Sequence, residues 1–247
     1  MTDAIQQAAQ AIARGRHVIA VTGAGISVES GIPDFRSPGG IWDTYPPEDY
    51  ATIDAFTAAP DRVWQLWYDL GAMLGDVQPN PGHHALTALQ NMGRLEAIIT
   101  QNIDNLHQES GSVRVIEYHG NGKHMRCVVC AGPAPLDLSQ RSELAPRCDC
   151  GGVMKPDVVL FGEHIPRDAM AAADGAAETA DVVIIVGTSA TVYPAAQLPV
   201  TAKQHGAFII ECNLEPTDFT PYVTDVFLKG PSGSVLPMLV DAVRGLM

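Results

Sequence analysis

Four cysteines fall within a short stretch: Cys127 and Cys130, two residues apart, and Cys148 and Cys150, one residue apart. Thiolates carried in close pairs on turns can converge tetrahedrally on a zinc ion. The 17 intervening residues, and Gly151 and Gly152 directly after the second pair, suit a zinc-binding ribbon, although Cys-x-Cys is one residue shorter than the usual pair. Sulfur fills every ligand position and no water-activating side chain stands beside the cluster, so the metal expected is structural rather than catalytic. Clustering in a chain with no export signal also favours metal over disulfides. Cys212 closes an apolar run and reads as core.

A second group of residues could handle a nucleotide. GAGISVESGIPDFR (23–36) follows the apolar run HVIAVT and begins as a pyrophosphate-binding turn would. Gly23 and Gly25 fit, but Val28 stands where a dinucleotide fingerprint has its third glycine. Two glycines after a strand can equally serve a tight turn. The acid that normally holds a ribose about twenty residues downstream is also missing, its place taken by the loop DTYPPEDYAT. Farther on, TQNIDNLHQESG (100–111) ends another apolar run with Gln101, Asn102 and Asp104. These amides and this carboxylate could face a polar ring and a ribose, or Asp104 could simply cap the next helix. His119, in EYHGN, ends a further run and is a candidate general base. His83, His84, His107 and His124 lack such placement and read as surface or packing.

The elements that must position these residues alternate. Residues 3–14 and 60–73 have helical periodicity, as do 81–92, 167–180, 194–204 and 232–246. Apolar strands are expected at HVIAVTG, 94–102, 113–120, DVVLFGE (157–163), ADVVIIVGTSA, AFIIECN and DVFLKG. Such alternation implies an α/β fold: a Rossmann-like parallel sheet with helices on both faces and ligands at the carboxyl ends of its strands. Here those ends read TGAG, TQNID, EYHG, VGTS and ECN, rich in small and hydrogen-bonding groups.

The 247 residues suffice for one large domain with a smaller insertion. A net charge of −13 with few lysines argues against a nucleic-acid backbone as partner and suits a basic peptide or protein, or simply a solvated acidic surface. No apolar run is long enough to span a membrane, and nothing at the N-terminus reads as a signal, so a cytoplasmic location is expected.

Taken in order, GAGISVESGIPDFR, TQNIDNLH, HGN, the four cysteines, KPDVVLFGE, GTSATVYPAAQLP and NLEPT resemble the sirtuin family of NAD-dependent protein-lysine deacylases. The resemblance runs from about residue 10 to the C-terminus. It implies a Rossmann-like NAD-binding domain (1–35, 80–120 and 155–247) and a small domain. The small domain would combine a cofactor-binding loop with a helical part (36–79) and a zinc ribbon (121–154). NAD and an acyl-lysine protein or peptide would enter the cleft between the domains, with zinc on Cys127, Cys130, Cys148 and Cys150. Carried over by position, Gly23, Ala24 and Gly25 approach the pyrophosphate, and Phe35 and Arg36 belong to the cofactor loop with Asp34 on the nicotinamide side. Gln101, Asn102, Ile103 and Asp104 line the ribose and nicotinamide pocket, while Gly187, Thr188, Ser189, Asn213 and Leu214 hold the adenosine half. Val159, Phe161, Gly162, Glu163 and Val192 would pair with the substrate backbone.

The implied reaction is substitution at the ribose carbon that bears nicotinamide. The acyl oxygen attacks as nicotinamide leaves, His119 acts as general base on a ribose hydroxyl that attacks the bound imidate, and water completes the reaction to free lysine and O-acyl-ADP-ribose. A branch of the family that removes succinyl and malonyl groups carries Tyr-x-x-Arg in the helix after the cofactor loop. Here Tyr68 is followed by Gly71, leaving no arginine for an acyl carboxylate. Deacetylation, extending to longer neutral chains, is therefore expected over desuccinylation. Three other readings stand beside it: protein mono-ADP-ribosylation, an NAD-dependent dehydrogenase, and a non-catalytic zinc module on nucleic acid.

Overall fold

The computed structural model describes residues 2–33, 35, 39–74, 77–138 and 141–247. The chain opens with α1 (Thr2–Arg14), whose Ile5, Ala8, Ala9 and Ile12 recur at helical spacing and are all buried. Strand β1 (Val18–Thr22) follows and runs into two 3₁₀ turns, Ala24–Ile26 and Val28–Ser30. A helical segment comes next: α2 (Ile41–Thr44), α3 (Pro47–Tyr50), α4 (Ile53–Ala58) and the long α5 (Pro60–Leu74). The chain returns through α6 (Pro81–Asn91), β2 (Ala97–Thr100), α7 (Leu106–Glu109) and β3 (Val115–Glu117). It then leaves again for β4 (Gly120–Cys127), β5 (Pro133–Pro135) and β6 (Met154–Val158). The last stretch holds α8 (Arg167–Thr179), β7 (Val182–Val186), α9 (Gln197–Gln204), β8 (Phe208–Asn213), β9 (Val226–Lys229) and α10 (Ser232–Arg244).

Among the described residues the main sheet has the order β3-β2-β1-β7-β8-β9, every pair parallel. Its central strands are buried on both faces, which is why they read as unbroken apolar runs. Along β1, Val18 and Ala20 face one core with α1, α6 and α10, while Ile19 and Val21 face the other with α8 and α9. Strand order reverses direction between β1 and β7, so the loops leaving their carboxyl ends part and open a crevice.

The second unit is the antiparallel sheet β5-β4-β6. Met154, Val158 and Cys127 from it share a core with Phe56, Val63, Trp64 and Tyr68 of α4 and α5. Here one sequence expectation is corrected. DVVLFGE is not a strand of the parallel sheet: Met154–Val158 pairs antiparallel with β4, and 159–163 form a loop. A short apolar run looks the same in either sheet, because periodicity reports burial and not the partner strand.

Asp69 of α5 fastens the small unit together. Its carboxylate accepts from the Tyr45 hydroxyl and pairs with Arg141, whose other nitrogen donates to Gln65 Oε1 at 3.1 Å. Hydrogen bonding to the carboxylate pushes the Tyr45 phenol up to about 12 and holds Asp69 below the usual carboxylate range.

Candidate active site

The cleft at the switch point begins with two loops packed backbone to backbone. Gly23 N donates to Val186 O at 3.0 Å and Gly25 N to Gly187 O at 2.8 Å. A Cβ at Gly25 would lie 2.7 Å from Gly187 Cα, and one at Gly187, where φ is +60°, 2.4 Å from Ile26 N. These glycines are therefore required for the approach of the loops, and they leave bare backbone facing the crevice. Such a side-chain-free cradle fits a pyrophosphate.

From the next strand end, Gln101 N donates to Thr22 O (3.0 Å) and its Nε2 to Thr188 Oγ1 (3.1 Å), tying the β1, β2 and β7 ends together. Asn102 Nδ2 donates to Gly23 O and to Ser27 Oγ. Asp104 Oδ1 accepts from Leu106 N, the first amide of α7, at 3.0 Å, and its Oδ2 accepts from Ser27 Oγ at 2.6 Å. Burial pushes the Asp104 carboxyl upward, and the Ser27 bond partly opposes this.

His119 enters from the segment between β3 and β4. Its Nδ1 lies 3.1 Å from the carbonyl oxygen of Gln101, which fixes the proton on Nδ1 and leaves the Nε2 lone pair free. Burial lowers its pKa, only partly offset by the Gln101 bond, so the ring is held neutral. A neutral imidazole with one nitrogen anchored and the other open can accept a proton, which is what a general base must do.

These groups line a cleft of about 1300 Å³ together with Ala24, Phe35, Ile103, Ser189, Asn213 and Leu214. Val159, Phe161, Gly162, Glu163 and Val192, expected to pair with a substrate backbone, line it as well. Within that last group the backbone is partly committed. Phe161 N donates to Ala51 O and its carbonyl accepts from Ile53 N, while the Glu163 carboxylate holds Lys155 and the Leu160 amide. The Gly162 amide has no partner among the described residues, which leaves it for a substrate strand. Asp34 and Arg36 lie outside the described residues.

The wall that α5 gives the cleft is apolar. Tyr68 is buried in the small-domain core against Trp64, while Leu66, Trp67, Leu70 and Gly71 line the cleft from α5. Helical phase, invisible in a Tyr-x-x-Arg comparison, decides which residues face inward. The single arginine of α5, Arg62, pairs with Asp49, so this wall carries no cation.

Sequence reasoning passed over three residues beneath the β1 loop. Ser27 is buried, linking Asn102 and Asp104, and lies 3.5 Å from His83 Nε2. The Asn80 amide donates to His83 Nδ1 in a capping box, so His83 carries its proton on Nε2, aimed at Ser27. His107 bonds Thr22 Oγ1 through Nε2 and packs edge-on to His83 at 5.0 Å. Burial lowers the two histidines to about 4 and about 3. His83 at the third position of a helix opened by Asn80 was the available signal. His84 and His124 are exposed.

Away from the cleft, the Sγ atoms of Cys127, Cys130, Cys148 and Cys150 all lie within 4.8 Å of one another. Cys127 and Cys150 are 3.5 Å apart and Cys130 and Cys148 3.6 Å. Four thiolates around zinc, each bonded at about 2.3 Å, stand at about this spacing, so the residues fit the metal. The amides of Cys130 and Val129 favour the thiolate form of Cys127.

Residues 23–194 match the Sir2 family. The chain belongs to that family. A relative from Thermococcus kodakarensis, described as an NAD-dependent protein deacylase, is 47% identical over 247 residues, covering 97% of this chain and 96% of its own. A crystal structure of a Sir2 homologue in complex with NAD is 41% identical, with a TM-score of 0.92 over 97% of this chain and 94% of that one. A further Sir2 structure, Sir2Af2 bound to a myristoylated histone peptide, is 38% identical, with a TM-score of 0.84 over 100% of this chain and 98% of that one. The Sir2 fold thus accounts for both sheets and the cysteine cluster of this chain.

Proposed function

We propose that this Sir2 chain is an NAD-dependent protein-lysine deacylase that releases nicotinamide, free lysine and O-acyl-ADP-ribose. The observation that carries this reading is His119, anchored through Nδ1 to the Gln101 carbonyl, with Nε2 open in a cleft that the Gly23, Gly25 and Gly187 backbone also lines. Bound NAD supplies an electrophilic ribose carbon with nicotinamide as leaving group. Gly23, Ala24 and Gly25 would receive the pyrophosphate, and Gly187, Thr188, Ser189, Asn213 and Leu214 the adenosine half. Gln101, Asn102, Ile103 and Asp104 would orient the ribose next to the nicotinamide, with Asn102 and Asp104 held by Ser27.

Nε2 of His119 accepts the proton of a ribose hydroxyl as that oxygen attacks the acyl carbon. Phe35 and Trp42, with ring centroids 5.0 Å apart, form an apolar cover that keeps water out until the acyl group has moved. The acyl-lysine peptide lies along 159–163 and 189–192, where the Gly162 amide is available to it. The four cysteines hold zinc as a brace of the small domain, remote from proton transfer. The apolar α5 wall favours acetyl and longer neutral acyl groups over succinyl. The close relation to a named NAD-dependent protein deacylase and the fold shared with a peptide-bound structure support the substrate class.

Mono-ADP-ribosylation would use the same NAD cleavage without needing the base at His119. Incubation with NAD and an acetyl-lysine peptide, alongside His119→Ala, separates the readings. Deacylation predicts free lysine and O-acetyl-ADP-ribose that vanish together in the variant. ADP-ribose bonded to the peptide would overturn it.

A further inference from the structure

Glu211, on β8, is fully buried, yet it is not used by the reaction described above and makes no ion pair among the described residues. Its hydrogen-bond partners are three hydroxyls: Thr217 Oγ1 at 2.6 Å, Thr220 Oγ1 at 2.8 Å and Thr224 Oγ1 at 2.6 Å. All three belong to the irregular connection between β8 and β9. The hydroxyls are also used locally, since Thr217 N donates to Thr220 Oγ1 and Phe219 N to Thr217 Oγ1. The same connection buries Phe219 and Val223 against the sheet.

Its other side is cleft wall: Leu214, Glu215, Pro216, Thr217 and Asp218 all face the cavity. Thr217 therefore belongs both to the buried carboxyl cluster and to the wall. An apolar residue at 211 could hold the connection against the sheet without fixing its conformation. A carboxyl group accepting three directed hydrogen bonds selects one arrangement of the loop, because any other leaves it buried and unsatisfied.

We propose that Glu211 is a positioning residue for NAD binding, acting through Thr217, Thr220 and Thr224 to fix the wall that receives the adenosine half of the dinucleotide. This rests on the functional reading above, in which Asn213 and Leu214 receive that half. It assigns to a side chain outside the cleft the shape of the cofactor site, leaving His119 and the acyl end untouched.

The test combines steady-state kinetics on an acetyl-lysine peptide with calorimetric binding of ADP-ribose, using the wild type, Glu211→Ala, Glu211→Gln and Thr220→Val/Thr224→Val. In Glu211→Ala the KM for NAD and the Kd for ADP-ribose rise about tenfold, while the peptide KM and kcat at saturating NAD stay within about threefold. Glu211→Gln, whose amide oxygen still accepts from hydroxyls, falls between that variant and the wild type. The double valine variant keeps the buried acid and its bond to Thr217 but removes the other two donors, and it shows the same split if Glu211→Ala proves insoluble.

Folded variants with unchanged NAD KM and unchanged ADP-ribose affinity overturn the proposal. So does a fall in kcat with both KM values untouched, which a general loss of folded enzyme would produce. A wild type that neither binds ADP-ribose nor consumes NAD overturns the functional reading itself, whereas an active wild type with indifferent variants overturns only the role of Glu211.

Discussion

His119 and the buried histidines behind the β1 loop make the same demand on protonation chemistry: each ring is held neutral by burial. His119 has a lowered pKa through burial, so it stays neutral, and competent as a base, below the usual imidazole range. The acid limb of kcat/KM is accordingly expected below pH 6.5, measured with peptide substrate at subsaturating NAD. His119→Ala should lower turnover by about 10²–10⁴-fold while leaving ADP-ribose binding in place. His83 and His107 must also remain neutral, and their folded values of about 4 and about 3 lie below the ordinary 6.5. Between those limits the unfolded chain binds protons that the folded chain refuses. Stability is therefore fully present above pH 6.5 and falls as the pH drops toward 4, by up to about 1.4 kcal/mol per pH unit for each ring. Asp104, pushed upward by burial, acts against this, since it takes up a proton more readily when folded. Urea unfolding at a series of pH values should show the loss, with a smaller slope in His83→Gln. A pH-independent midpoint from 6.5 to 4 would contradict the neutral-pair account.

Among the elements, the small antiparallel sheet depends on its metal more than the parallel sheet does. Cys127 and Met154 share one core with Trp64 and Tyr68, so the zinc cluster and the α5 wall of the cleft are packed together. Zinc removal by a chelator should abolish deacylation but leave most of the helical circular dichroism, because the main sheet has its own two cores. Full activity in protein shown by metal analysis to hold no zinc would refute this. The sequence made the parallel sheet legible, since VIAVT and VVIIV can only be strands buried on both faces. It misplaced DVVLFGE, because β6 alternates between buried and partly buried positions as an edge of either sheet could. For α5 the spacing from Tyr68 to Gly71 and the lack of an arginine were readable, but the phase of the helix against the cleft was not. The inward set of Leu66, Trp67, Leu70 and Gly71 strengthens the acyl argument even so. Leu138 lies against Gly71, with only 2.6 Å to a Cβ built there, so the wall is closed by apolar contact. In parallel assays, acetyl-lysine peptide should be turned over at least about tenfold faster than succinyl-lysine peptide, which would bring an unpaired carboxylate to this wall. Faster succinyl turnover would contradict it.

For the molecule as a whole, membership of the Sir2 family and a single large cleft at the sheet's switch point bring the separate motifs into one site. Gly23, Gln101, His119, Thr188 and Asn213 come from five different strand ends, and only the parallel order of those strands makes them neighbours. That convergence was legible because each motif ended an apolar run. Ser27 and His83 were not, since their bonds to each other and from Ser27 to Asn102 and Asp104 join residues far apart in sequence, and Glu211 was not, since its three partners sit in an irregular connection without periodicity. The account stands or falls on product stoichiometry. With NAD and an acetyl-lysine peptide, mass spectrometry should find nicotinamide, deacetylated peptide and O-acetyl-ADP-ribose formed in equal amounts. NADH as the product, or NAD consumed without loss of the acetyl group, would contradict it.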